Sequence, residues 1–452
     1  MENENQWSSK LGFIFAAAGS AIGLGAIWKF PYVAGMNGGG AFLIIFIIFT
    51  LLIGLPLLIS EFLIGRGSGK EAVSAYKKLA PNSTWNVIGK IGLVSSFLLL
   101  SFYTVVGGWV LTYTAMSIFG FVIQDGANYG DTFGYIIGSP WISLVGTAAF
   151  ILINVIVLTL GIKNGIERAA KYLMPLLFIF FIILIIRALT LDGAMEGLWF
   201  FLKPDFTQLT ADGLLYALGQ SFFALSVGVS VMVTYSSYLG KRESLPTSAG
   251  IVTLMNVAVS ILAGLFIFPV VFAFSMEPAQ GPSLLFVVLP AVFSQMAFGE
   301  LFLTLFLLLF LFATLTSSFS MIEILVAAFT SNKKRSRKKV TWTAGLIIFL
   351  AGIPAGLSSG VLDGITLFDK NIFDLTDYFV SNVMFPLGCL LIALFIGFKM
   401  DRPLMKKEFF MGNSLAGVWY SIWWALMRYV VPVTIVIVFL YTLGVFNLLF
   451  DI

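Results

Sequence analysis

The chain has 452 residues, of which 59% are hydrophobic and only 11% charged, with a formal net charge of +4 and a mean hydropathy of +1.00. A soluble chain of this length carries roughly twice that charge, so a water-soluble globular enzyme is excluded. There is no histidine, which removes the commonest metal ligand, general base and proton-relay group. The one cysteine, Cys389, lies in an apolar run and offers no disulfide framework.

Apolar runs of about 20 residues, enough to cross a bilayer, predict spans at 11–36, 41–65, 91–122, 141–161, 172–191, 213–239, 247–275, 298–331, 341–357, 376–398 and 418–448. The first run leads into a glycine-rich break and not a small-residue cleavage site, so it reads as a span and no signal peptide is expected. The expected architecture is all-α and membrane-embedded, with eleven helices. It divides into a cytoplasmic N-terminus (1–10), a first block of five helices (11–191), an extracellular loop (192–212), a second block of five (213–398), a cytoplasmic loop (399–417) and a last helix with the C-terminus (418–452).

Charges set the expected orientation. Alternate loops hold Arg66, Lys70, Lys77, Lys78 and Lys90; Lys163, Arg168 and Lys171; Lys241 and Arg242; the run from 333 to 339; and Lys399, Arg402, Lys406 and Lys407. The intervening loops are acidic, with Asp125, Asp131, Asp192, Asp205, Asp363, Asp369 and Asp374. Lys and Arg collect on the cytoplasmic side, which puts the N-terminus inside and, with an odd helix count, the C-terminus outside. By the same rule the basic run at 333–339 reads as a cytoplasmic loop, and no nucleic-acid partner is expected.

Two spans carry a weakness at mid-membrane. The first contains Gly19, Gly23 and Gly25, each costing about 1 kcal/mol of helix propensity relative to alanine; Gly19 and Gly23 also form a GxxxG face suited to close helix packing. The sixth contains Ser226, Gly228 and Ser230. Each opens a five-helix block. Paired interruptions in corresponding places of two halves point to a midplane transport site. Because each block has an odd number of helices, the second inserts upside down.

These segments belong to a wider pattern: Trp7; the 19–25 segment followed by Trp28-Lys29-Phe30-Pro31-Tyr32; Asn37-Gly38-Gly39-Gly40-Ala41-Phe42; Pro56, Glu61, Gly65 and Arg66; Pro204-Asp205-Phe206; and Thr316-Ser317-Ser318. The pattern resembles the neurotransmitter:sodium symporter family nearly end to end. The resemblance implies a LeuT-type fold with a 5+5 inverted repeat and unwound helices 1 and 6. It also implies Na⁺-coupled symport by alternating access across a bacterial plasma membrane, by a chain functional as a monomer.

Carried over residue by residue, the resemblance implies one Na⁺ site (Na1) at Ala21, Ala224, Ser226 and Asn256, and a second (Na2) at Gly19, Ile22, Ala313, Thr316 and Ser317. Read alone, a Thr-Ser-Ser run bonds back to its own helix, and Asn256 ties helices together. Ala26 and Ala224 stand where relatives carry side-chain ligands. Gln220, Asn256 and Ser260 match chloride-dependent relatives, but Phe46 and Ala224 lack the hydroxyls of that site, so chloride independence is expected. The implied substrate pocket comprises Ala21, Leu24, Gly25, Leu99, Tyr103, Phe223, Ser226, Val229, Met232, Ser320 and Met321. Tyr103 would hold a carboxylate and Phe223 would close as a lid. Val229 replaces an aromatic of leucine-preferring relatives, and methionines repack around varied shapes, so hydrophobic and aromatic L-amino acids are the expected cargo. Gly23 stands where amine transporters carry an acid.

The resemblance makes Lys29 and Asp377 the outer gate, with a looser or water-bridged latch because lysine has no planar fork. Tyr238 matches the inner gate, but Glu4 and Ser331 stand where a basic residue and an aspartate are usual. Gly165 and Pro175 resemble the family's helix-5 unwinding motif; an interfacial helix start with a proline kink is the alternative. Glu61 and Glu323 are carboxylates within spans, where such groups mark function or a committed partner. The competing readings are a channel, for which no filter-like loop is visible, a symporter of another small amine or amino acid, and an intramembrane enzyme, for which no catalytic set is visible.

Overall fold

The computed structural model describes residues 6–124, 126–276, 283–331, 335–413, 417–442 and 445. Among them there is no β-strand, only an isolated bridge between Leu367 and Lys370. Nine helices are long and apolar enough to cross a membrane: Gly40–Ser68, Thr84–Ile118, Pro140–Thr159, Ile162–Leu189, Leu245–Ala273, Gly299–Thr330, Arg337–Gly356, Ile372–Phe398 and Gly417–Tyr441. They match predicted spans 2–5 and 7–11 and keep those numbers here; residues 443, 444 and 446–448 of predicted span 11 lie outside the described residues.

Span 1 is a bent pair, Lys10–Ala21 and Gly25–Met36, at 51°. Ser9 Oγ accepts the Gly12 N–H and starts it. At Ile22 the backbone leaves the helix (φ −87°, ψ 86°), and winding resumes with a π-helical turn over Gly25–Lys29. The predicted sixth span is two short helices, Ala211–Ala224 and Val231–Ser237. Between them Ser226, Gly228 and Ser230 take φ of +52°, +90° and +57°. Both breaks therefore fall in the segments expected from sequence. Neither half of span 6 is long enough to cross a membrane by itself.

The breaks sit in the interior. Spans 3 and 8 pack along one another and are 72% and 67% buried over their most apolar windows, against 28% for spans 5 and 11. Shape accounts for the contact between spans 1 and 8: a Cβ on Gly19 would stand 2.9 Å from Thr316 Cβ, and one on Gly23 would stand 2.8 Å from Ser317 Oγ. The GxxxG face and the helix break are thus both present in the same residues.

Short helices missed by hydropathy brace the bundle, among them Ala72–Leu79, Ala194–Leu202 and Arg402–Phe410. The last is locked by Arg66 at the end of span 2. The Arg66 guanidinium meets Glu408 Oε2 at 2.6 Å and Glu408 O at 2.8 Å, and also donates to the Glu243 carbonyl.

The break in span 6 requires Gly228. An alanine there would adopt a left-handed φ with its Cβ 2.6 Å from Phe385 O and 2.7 Å from Cys389 Sγ. Gly228→Ala is expected to destabilise the protein by about 2–4 kcal/mol, read as a lowered thermal midpoint in detergent. An unchanged midpoint would mean that the 225–230 segment is free to take another path.

Candidate functional site

The two breaks bring oxygen atoms from spans 1, 6, 7 and 8 to one level. Thr316 Oγ1 lies 3.1 Å from Gly19 O and 3.1 Å from Ala313 O, with its own-helix carbonyl Phe312 O at 3.0 Å. The back-bonded and the inter-helix readings of this threonine therefore hold together. Ser317 Oγ instead donates to Ser20 O at 3.0 Å, which also accepts Ser226 Oγ from the break of span 6 at 2.9 Å. Ile22 N is tied to Ala18 O at 2.7 Å where the helix ends.

On the other side of span 1, Asn256 of span 7 donates through Nδ2 to Ala21 O at 3.1 Å and Ala224 O at 2.8 Å. Its Oδ1 is buried without a hydrogen-bond partner. Gln220 Nε2 donates to Gly25 O at 2.5 Å; Ser260 Oγ is buried and unpartnered, and Phe46 and Ala224 are fully buried.

A small cavity of about 10 Å³ lies between these clusters, room for about one water molecule. Eight residues of the expected pocket line it: Ala21, Leu24, Gly25, Leu99, Tyr103, Phe223, Ser226 and Met321. Gly23, Ser317 and Phe385 line it as well. Val229, Met232 and Ser320 do not; they are fully buried beside it. Val229 turns its carbonyl to span 3, 2.7 Å from where a Gly92 Cβ would stand, and Ser320 Oγ accepts from Ser20 Oγ at 2.6 Å. The Tyr103 hydroxyl is buried without a hydrogen bond of normal geometry among the described residues, next to Ser317 and the Leu24 backbone and 2.8 Å from the place of a Gly23 Cβ.

Both ends of the cavity are closed. On one side Lys29 Nζ meets Asp377 Oδ1 directly at 2.5 Å. This differs from the loose or water-bridged latch expected: a point charge needs no fork when Ser381 Oγ holds the same oxygen at 2.9 Å and stands 3.2 Å from Nζ. The ammonium also sits 4.4 Å from the ring centre of Phe223, which packs against Phe385 at 5.4 Å.

On the opposite side Tyr238 Oη donates to Glu323 Oε1 at 2.9 Å. Arg337 Nη1 reaches the same oxygen at 3.0 Å, and Nη2 pairs with Oε2. Trp7 Nε1 donates to Tyr235 O at 2.9 Å. Glu167 collects Ser8 N at 2.7 Å, Ser9 Oγ at 3.1 Å and Lys171 Nζ at 2.6 Å. Glu4 lies outside the described residues, and Ser331 Oγ donates to its own helix at Ala328 O.

For Glu323 the sequence carries a signal, since an acid inside an apolar span needs a partner, but Arg337 is hidden in the basic run that follows. Glu167 lies between the predicted spans and carries no such signal. Glu61 is tied to backbone at one oxygen: its Oε1 accepts the Gly228 N–H of the span 6 break at 2.7 Å, while Oε2 is buried without a hydrogen-bond partner among the described residues. The 165–175 stretch is wound, π-helical over Ile162–Glu167 and α-helical through Pro175.

Removing one member of a buried ion pair strands the other at a cost of about 3–5 kcal/mol. Arg337→Met is therefore expected to lower the thermal midpoint sharply, and Arg337→Met with Glu323→Met to recover most of the loss. A double variant no better than the single one would show that the pair is not energetically coupled.

The sodium:neurotransmitter symporter family model matches residues 4–123 and 137–449. The chain is 52% identical to the uncharacterized sodium-dependent transporter YhdH of Bacillus subtilis over 443 residues, 98% of each chain. It is 39% identical to an uncharacterized sodium-dependent transporter of Haemophilus influenzae, covering 96% of this chain and 97% of the other. Among solved structures, MhsT in complex with L-phenylalanine superposes with a TM-score of 0.90 at 43% identity, covering 96% of this chain and 99% of that one. With two broken helices facing each other inside the bundle, a LeuT-type fold and this end-to-end similarity, the chain belongs to the sodium:neurotransmitter symporter family and is a Na⁺-coupled membrane transporter.

Proposed function

We propose that this transporter imports hydrophobic and aromatic L-amino acids together with Na⁺. The observation that carries the substrate reading is the cavity at the two breaks. Its side-chain lining is apolar except for the hydroxyls of Tyr103, Ser226 and Ser317, and the buried Tyr103 hydroxyl makes no hydrogen bond of normal geometry among the described residues, with Ser317 and the Leu24 backbone beside it. A carboxylate against the span 1 break would accept the proton of that hydroxyl, with an apolar side chain directed to Leu99, Phe223, Met321 and Phe385. No acid lines the cavity to hold an amine without a carboxylate. The structural neighbour MhsT is described in complex with L-phenylalanine, which supports the same cargo class. At about 10 Å³ the site is contracted, so binding requires Phe223 and its neighbours to move apart.

Two Na⁺ positions fit the oxygens. Gly19 O, Ala313 O and Thr316 Oγ1 form one group, with Ile22 and Ser317 beside it; such hard, uncharged ligands suit an alkali cation. The Ala21 and Ala224 carbonyls converge on the Asn256 amide, with Ser226 adjoining, and form the other. Turning that amide over would aim its unpartnered Oδ1 at a cation between the two carbonyls; nitrogen and oxygen of an amide are nearly isosteric. Because Phe46 and Ala224 contribute no hydroxyl, transport is proposed to need no chloride. Lys29 with Asp377 would act as the outer gate, Tyr238 with Glu323 and Arg337 as the inner one, and helix 5 between Gly165 and Pro175 as the segment that loosens. The positive-inside pattern supports an N-terminus in the cytoplasm and a C-terminus outside; the proposal takes the membrane to be a bacterial plasma membrane and the monomer to be the working unit.

Uptake of labelled tryptophan and phenylalanine into proteoliposomes is expected to be saturable, to collapse when Na⁺ is replaced by choline, and to persist when chloride is replaced by gluconate. Competition across the twenty amino acids would overturn the cargo reading if polar amino acids competed as well as aromatic ones. Tyr103→Phe removes one charge-assisted hydrogen bond, about 1.5–3 kcal/mol, and is expected to raise the substrate KM about tenfold to a hundredfold. Thr316→Val is expected to raise the Na⁺ concentration for half-activation with a smaller effect on substrate KM. Unchanged Na⁺ activation would remove Thr316 from the ion site.

A further inference from the structure

Span 11 carries a feature that the transport site does not use. Tyr420, Trp424 and Arg428 recur every four residues and so share one face. Tyr420 Oη, Trp424 Nε1 and Arg428 Nε are all buried without a hydrogen-bond partner among the described residues. The indole and guanidinium nitrogens are donors only, so the face offers protons and finds no acceptor.

Cations crowd the same place. Arg402 lies 4.1 Å from the Trp424 ring centre and Arg428 lies 4.9 Å from it, so two guanidiniums share one indole. Lys406 Nζ stands 5.7 Å from the Tyr420 ring. None of the three forms a salt bridge among the described residues. The acids of the adjoining short helix are committed elsewhere: Asp401 accepts the Leu404 N–H at 3.0 Å, and Glu408 holds Arg66. Cation–π contact lowers the energy of one guanidinium but does not neutralise a pair of them.

Depth identifies the missing partner. A Cβ on Gly397 would stand 3.1 Å from Arg428 Cα, and span 10 ends at Phe398. The cluster therefore runs from the loop-side ends of spans 10 and 11 inward to Arg428, the twelfth residue of Gly417–Tyr441, from where a long arginine side chain reaches back toward headgroup level, with Phe398, Ile422 and Tyr429 exposed around it. Basic pockets between helices at this depth are suited to phosphate headgroups, and aromatic side chains to the interface.

We propose that Arg402, Arg428 and Lys406, with the Trp424 N–H and the Tyr420 hydroxyl, form a binding site for one anionic glycerophospholipid. Its phosphodiester sits between the two guanidiniums, and its acyl chains lie along the exposed apolar faces of spans 10 and 11. A zwitterionic lipid brings an ammonium toward three cations and binds less well. This site is independent of the cargo reading.

The test uses the full-length purified transporter, stripped of lipid and titrated under native mass spectrometry with phosphatidylglycerol, with phosphatidylcholine and with inorganic phosphate. A first phosphatidylglycerol is expected to bind saturably and about tenfold or more tighter than phosphatidylcholine, with Arg402→Gln plus Arg428→Gln losing that margin. Inorganic phosphate in large excess is expected not to displace it. Trp424→Phe keeps an aromatic face and removes the N–H donor together with the five-membered ring of the indole. It is expected to bind more weakly by a few-fold while retaining Na⁺-driven uptake, and it carries the test if the double variant does not fold. Equal affinity for the two lipids, undiminished binding by the variants, or displacement by free phosphate would each overturn the proposal.

Discussion

The structure turns on the hydrogen bonding of backbone that leaves a helix inside an apolar bundle. Lipid offers no partners to a freed N–H or carbonyl, so irregular backbone at this depth survives only where protein surrounds it. Spans 1 and 6 break where spans 3, 7 and 8 enclose them. Glu61 takes the Gly228 N–H, Asn256 takes the carbonyls of Ala21 and Ala224, and Thr316 and Ser317 cover Gly19 and Ser20. The carbonyls of Gly19, Ala21 and Ala224 that need these donors are also among the oxygens proposed to hold Na⁺. In that reading, satisfying the fold and preparing a cation site are one arrangement.

Charge follows the same economy. Each carboxylate buried deep in the bundle has a defined set of donors: Glu61 a backbone N–H, Glu323 a tyrosine and an arginine, Glu167 the start of span 1 and Lys171. The latter two join distant segments, and in the proposed reading these segments separate when the cavity opens on that side. An ion pair stripped of one partner is costly when buried, so the latches hold closure firmly while both partners remain in register. The pair proposed as the outer latch is smaller, one lysine and one aspartate with Ser381, and the side chain of Phe223 lies between it and the cavity.

Much was legible from residues alone because the solvent is demanding. Hydropathy located nine spans to within a few residues at most ends, and the breaks appeared where Gly, Ser and small residues collect at mid-span. Span 5 was the exception. Its first turn, Ile162–Glu167, holds Lys163 and Glu167 and fell below an apolar threshold, although tertiary packing winds it. The short bracing helices were invisible for the same reason: Arg402–Phe410 is polar and is held by Arg66 and its neighbours, not by burial in lipid.

The sequence by itself determined the membrane-spanning class, the alternation of loop charge and the two places where helices fail, because each depends on local composition in an apolar solvent. The tertiary structure decided which oxygen faces which cavity, that Tyr103 stands over Gly23, that Val229 and Met232 lie beside the present cavity and not on its wall, and that Glu323 belongs to Arg337. These depend on how distant spans rotate against one another. Partner choice between groups such as Arg66 and Glu408, 342 positions apart, is a property of packing that no local pattern contains.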